Sequence, residues 1–214
     1  MKLKNVDCRH VFAVAVWLVE YEDFAAVNDA IVAEMARVDW DKEHRRRGLE
    51  NEVERRHGED VFITVEQVPS ARAIVDAFSY NCNQIAREAG WDLEHNEIRV
   101  TDLWAHLTPP GRSTQSHHHM PDHLSCAYYV RTPPDCGNLR LDDDRKHRTL
   151  EPAAANAGPT TSKFVEIAAR EGLMVIFPAW MSHQVGENRS AERRVSLSMN
   201  ASLIPRGVQR APSV

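Results

Sequence analysis

From residue 97 onward the chain is written as short apolar runs broken by proline, glycine and polar turns. Segments 97–107, 124–131, 138–142, 163–168, 173–177 and 194–203 each have the length and the aliphatic or aromatic content of a strand. Before residue 97 the apolar residues recur at helical spacing instead. Helices first and at least six short strands afterwards predict a mainly β protein with N-terminal helices, an antiparallel sandwich of the jelly-roll kind. The run 124–131 stops at Thr132-Pro133-Pro134, and 138–142, which follows Gly137, reads as the next strand of a hairpin with it.

The opening run VFAVAVWLV (11–19) is most simply a buried strand. Behind it Asp23 is positioned to cap a helix carrying Phe24, Val27, Ile31, Met35 and Val38 on one stripe. Residues 39–60 are charged without a sustained period and read as an exposed helix or a mobile segment. Ser70 is placed to cap a second helix, with Ile74, Phe78, Cys82, Ile85 and Ala89 on one face and Gly90 as its stop. Residues 143–162 are polar and rich in Ala, Pro and Gly, so they read as a loop. The chain is expected to be a single domain over 1–214, with 1–96 as helical support and 97–206 as the jelly-roll core.

With 214 residues the chain can bury a full core, and its formal charge of −5 provides no general attraction for nucleic acid. The local basic clusters, His44-Arg45-Arg46-Arg47 and Arg55-Arg56-His57, are interleaved with acids and read as solvated faces. No stretch approaches the roughly 20 apolar residues of a membrane span, and the N-terminus lacks a signal-type apolar core. Cys8, Cys82, Cys126 and Cys136 form no CxxC spacing and no disulfide framework, so a cytoplasmic setting is expected.

The chemistry concentrates in two segments. STQSHHHMPDHLSCAYYV (113–130) carries His117 and His119 two residues apart, and such side chains share one side of an extended segment. FPAWMSHQVGENRSAERRVSLSMN (177–200) carries His183, expected on a turn, and then Arg194-x-Ser196 on a strand. Three neutral imidazoles suit a divalent first-row metal. The planar guanidinium of Arg194 suits a carboxylate in two-pronged fashion. Trp180 and Phe177 read as core, and His118 and His123 as surface or supporting residues.

The ordered set, not any one piece, resembles the bacterial 2-oxoglutarate/Fe(II)-dependent oxygenases of the double-stranded β-helix superfamily. The pieces are His117-His118-His119, Leu124 to Tyr129 (LSCAYY), Gly137 to Leu141 (GNLRL), Phe177 to Val185 (FPAWMSHQV) and Arg194 to Asn200 (RVSLSMN). Pro121, one place later than the family's proline, and the run Asp142-Asp143-Asp144-Arg145 depart from its pattern. The resemblance implies Fe(II) held by His117, His119 and His183, with His119 where most relatives carry a carboxylate and Asp122 as the alternative third ligand. It implies 2-oxoglutarate held by Arg194 and Ser196, with one of the pair Tyr128 and Tyr129, Tyr129 preferred, touching it; Gln115 and Trp104 lie on elements entering the site, placed to contact cosubstrate or substrate. No catalytic residue beyond the metal ligands is expected. The implied reaction couples decarboxylation of the keto acid to succinate and CO2 with oxidation of a substrate C–H bond, hydroxylation by default.

The expected partners are O2 and a small-molecule or amino-acid-like substrate, with no nucleic acid or membrane, and a homodimer is compatible with the sequence. Two rival readings stand beside this one: a three-histidine cupin-type dioxygenase without 2-oxoglutarate, and a non-catalytic metal-binding β-sandwich.

Overall fold

Helical spacing and strand-length runs become separate layers in a computed structural model, which describes residues 13–38, 59–145 and 162–208. Helix α1 (Phe24–Met35) and helix α2 (Ala71–Glu88) cover one face of a six-stranded sheet. Its strands are β1 (Trp17–Glu20), β2 (Glu59–Phe62), β3 (Asn96–Thr108), β5 (Leu124–Arg131), β8 (Leu173–Pro178) and β10 (Arg194–Pro205), in the order β1-β8-β5-β10-β3-β2. A second sheet of β4 (Thr114–His117), β6 (Leu139–Asp142), β7 (Phe164–Ile167) and β9 (His183–Val185) has the order β4-β9-β6-β7. Every pairing is antiparallel. The two sheets form the jelly roll that the strand count predicts.

Two apolar layers hold this together. Between helices and large sheet lie Ile31, Phe78, Cys82, Ile85, Leu197 and Met199, all buried. Between the sheets lie Tyr129, Leu139, Leu141, Val175 and Phe177. A buried polar point also pins the helix layer, where Asn28 donates to the Val130 carbonyl (3.0 Å) and accepts from the Tyr128 hydroxyl (2.8 Å). Both helices start where expected, yet neither Asp23 nor Ser70 caps through its side chain. Glu34 does that work for α2: its carboxylate accepts from the Ser70 hydroxyl (2.7 Å) and backbone N–H (2.9 Å), tying the two helices end to end.

Four expectations need correction. Among its described residues, 13–19, the opening run contributes to the edge strand β1 alone, with Leu18 half exposed; an edge strand has one neighbour and presents alternate residues to solvent. Ala89 is the exposed C-cap, and Ala86 takes its place in the core. The hairpin between 124–131 and 138–142 does not form, because β6 pairs with β7 and β9 in the other sheet. Prolines 133 and 134 cannot donate to a ladder, and left-handed Asp135 (φ 59) and Gly137 (φ 86) redirect the chain across the sandwich. Gly137 is also required sterically, since a Cβ there would meet the Gly186 carbonyl oxygen at 2.2 Å. Finally, the end of the charged 39–60 stretch is neither helix nor mobile segment, for Glu59 and Asp60 open β2, which joins the large sheet. The remainder of the 39–60 stretch, residues 39–58, lies outside the described residues, as does 146–161 of the predicted loop. Among the described residues no helix is long and apolar enough to cross a membrane.

Candidate metal and cosubstrate site

Strand β4 is short because it faces only β9, and that pairing sets His117 directly across from His183. His183 therefore opens a strand rather than sitting on a turn. His119 follows β4 in a segment clamped at both ends: its N–H donates to the Ala179 carbonyl (2.8 Å), and the Ala179 N–H donates to the His123 carbonyl (3.0 Å). The three imidazoles meet, with ring centroids 4.3–5.0 Å apart and one nitrogen of each within 4.8 Å of the others.

Hydrogen bonds decide which nitrogens face the cluster. Nδ1 of His117 lies 2.8 Å from the Gln115 carbonyl and Nδ1 of His183 lies 3.0 Å from the Met181 carbonyl. A carbonyl only accepts, so each Nδ1 carries a proton and Nε2 is the nitrogen left to serve as a ligand. Burial pushes the pKa of His119 down to about 4 and that of His183 down to about 3, and the neighbouring imidazoles push in the same direction. Both rings are thus neutral near pH 7. Three imidazoles with two orientations fixed from behind are a donor set suited to a first-row divalent ion.

The cavity beside the histidines runs down to Arg194. It is lined by His106, Thr114, Ser125, Tyr129, Arg194, Ser196 and Ser198 together with the three ligand candidates. Arg194 is 1% exposed and donates to the Cys136 carbonyl (3.2 Å) and the Thr108 hydroxyl (2.9 Å). Tyr129 is buried next to it; burial pushes its pKa up to about 12 although the Arg194 charge opposes this, so the phenol stays protonated and can donate. A buried guanidinium flanked by hydroxyls fits a carboxylate. Tyr128 points the opposite way, to Asn28.

Not every expected residue arrives. Gln115 is exposed and lines an outer cleft with Arg140 and Gln184, contributing only its carbonyl to His117. The cause is a register shift between Thr114 and His117, which turns Thr114 inward in its stead. Asp122 accepts from Thr101 (3.0 Å) and Ser202 (2.5 Å) and lies outside the three-histidine group. Trp180 is 45% exposed, not core, because its neighbours Ala179 and Met181 occupy the inward positions. Trp104 does reach the site, its ring 5.1 Å from that of His119. His106 was not singled out from sequence. Its signal was available: it is two residues from Trp104 on the same strand face, and it accepts from the Trp104 indole N–H at 2.7 Å.

Residues 102–200, which contain the whole constellation, match the sequence model of a family described as "Putative 2OG-Fe(II) oxygenase". No curated protein matches the chain by sequence. Among solved structures, a prolyl-4-hydroxylase of Pseudomonas putida aligns with a TM-score of 0.57 at 19% identity, over 91% of this chain and 94% of its own. AviO1 from Streptomyces viridochromogenes Tue57 aligns with a TM-score of 0.56 at 11% identity, over 93% of each chain. A prolyl hydroxylase from Trichoplax adhaerens, solved with a hypoxia inducible factor peptide fragment, gives 0.55 at 14% identity over 87% and 83%. At these identities the likeness shows the shared fold.

Proposed function

We propose, from the match of residues 102–200 to the 2OG-Fe(II) oxygenase family model across the strands that carry the site, that this chain hydroxylates a small-molecule or amino-acid-like substrate. The chain is an oxygenase that uses Fe(II) and 2-oxoglutarate. When bound, the metal and keto acid supply O2 activation coupled to decarboxylation, with release of succinate and CO2. The protein's own residues do the holding and aiming. His117, His119 and His183 would hold the ion, two of them oriented by backbone carbonyls. Arg194, Ser196 and Tyr129 would hold the distal carboxylate in a cavity walled from solvent.

The observation that carries this reading is a buried arginine in the same cavity as three converging imidazoles. A cupin-type dioxygenase without a keto acid has no use for a guanidinium there, and an inert sandwich has no use for either. Free Cys82, Cys126 and Cys136 support a reducing, cytoplasmic setting. The test is succinate formation from 2-oxoglutarate by untagged protein, with and without Fe(II), across a panel of small metabolites. Oxidation of a substrate without any keto-acid requirement would return the cupin-type reading to first place.

A further inference from the structure

The polar face of β10 does not end at the cavity. Arg194, Ser196 and Ser198 line it, and the next residue on that face is Asn200. Across the ladder on β3 their partners are Thr108, His106, Trp104 and Asp102 in register. The level of Trp104 is the level of the metal ligands, because its ring lies against His119. Asp102 and Asn200 therefore form the next layer, on the side of the histidines away from Arg194.

That layer contains an unmet acceptor. Asn200 is 5% exposed, and its Nδ2 donates to Asp102 Oδ2 at 3.3 Å. A carboxylate only accepts, so the amide cannot be turned round, and Oδ1 is the atom left over. Oδ1 is buried with no hydrogen-bond partner. The hydroxyls nearby donate elsewhere: Ser125 to the Met199 carbonyl, Thr101 and Ser202 to Asp122. Arg99, the nearest cation on β3, is paired with Glu97 and donates to the Val208 carbonyl. A buried acceptor without a donor is costly, and native proteins keep few of them.

We propose that Asp102 and Asn200 are the subsite for a cationic nitrogen of the substrate, an alkylammonium or guanidinium group. This deepens the oxygenase reading and rests on it for the word substrate. The carboxylate supplies the charge, and Asn200 Oδ1 supplies a second, directional acceptor for an N–H. Asp102 is one same-face step, about 7 Å along a strand, from Trp104. A substrate anchored there by its nitrogen would present carbons a few bonds away to the histidine cluster. Asp102 thus sets which molecules are oxidised, and Asn200 sets their orientation.

The test follows the side-chain amide resonances of Asn200 by ¹⁵N–¹H NMR in the full 214-residue chain, without added metal or keto acid. The probes are n-butylammonium and n-butylguanidinium, with n-butanol and n-butylurea as neutral isosteres. The cations should shift the Asn200 signals with a Kd about tenfold or more below those of the isosteres, since hydrogen bonds to a charged partner are the stronger kind. Asp102→Asn retains an acceptor for the Asn200 amide and so retains the fold, checked by an unchanged melting temperature; it should erase the preference for the cations. The proposal is overturned if none of the four probes moves the signals, if cations and isosteres bind alike, or if Asp102→Asn keeps the preference. Because no metal or 2-oxoglutarate is present, these results stand or fall apart from the oxygenase reading, which the succinate assay tests separately.

Discussion

On one face of β10, Val195, Leu197, Met199 and Ala201 pack beneath the helices; on the other, Arg194, Ser196 and Ser198 line the cavity between the sheets and Asn200 follows them along the strand. All eight are at most 8% exposed. Solvent is excluded from both faces alike, yet one is apolar and the other carries a charge, two hydroxyls and an amide. On the helix side the polar exception, Asn28, is satisfied by protein on both ends of its amide. On the cavity side the Asn200 carbonyl oxygen is not. Burial with internal satisfaction marks architecture, whereas a buried acceptor left without a donor marks a place for something else.

The contrast can be broken most forcefully at Leu197. Leu197→Ala should cost about 2–5 kcal/mol of folding stability, as expected for a fully buried leucine, measured by urea unfolding, while metal affinity in the folded protein stays at the parent value. The mirror case is His183→Ala, which should lower metal affinity at least about 100-fold, since losing a mere supporting contact already costs 10–100-fold. A metal titration reads this directly, and parent-like affinity would remove His183 from the ligand set.

Asn28→Ala sharpens the comparison from the helix side. It strands the Tyr128 hydroxyl in an apolar layer, while the Val130 carbonyl keeps its bond from Arg131, and should cost about 1–3 kcal/mol in an unfolding experiment, with no change in the apparent constant for 2-oxoglutarate. On the cavity face, Arg194→Lys preserves charge but loses the planar fork. The apparent constant for 2-oxoglutarate should rise about tenfold or more, with metal binding intact. Unchanged keto-acid dependence would place Arg194 among structural residues instead.

Much of this was legible in the chain because strands and amphipathic helices announce themselves by period. The alternation in RVSLSMNAS separates the two faces of β10 before any coordinates exist, and LSCAYYVR gives β5 its full length. The His-x-His pair and the distant third histidine were readable for the same reason, as local spacings. Short strands were not: β2, β4 and β9 have three or four residues each, too few to show a period, and they exist because neighbours complete them. The role of Glu34 in fastening α2 links residues 36 apart, and no local pattern encodes it.

The sequence by itself determined the residue types and their order: which segments could bury one face, where imidazoles and a guanidinium were available, and the family whose pattern they follow. Tertiary structure decided which of those residues meet. A single register shift in β4 turned Gln115 out and Thr114 in. The pairing of β6 with β9 in place of β5 closed the cavity. The alternate facing of Tyr128 and Tyr129 was known from spacing, but only the helices on one side and Arg194 on the other told which face was which. The reason is physical: side-chain direction follows from local backbone geometry, whereas the partner it meets depends on long-range pairings whose energies no short stretch of sequence contains.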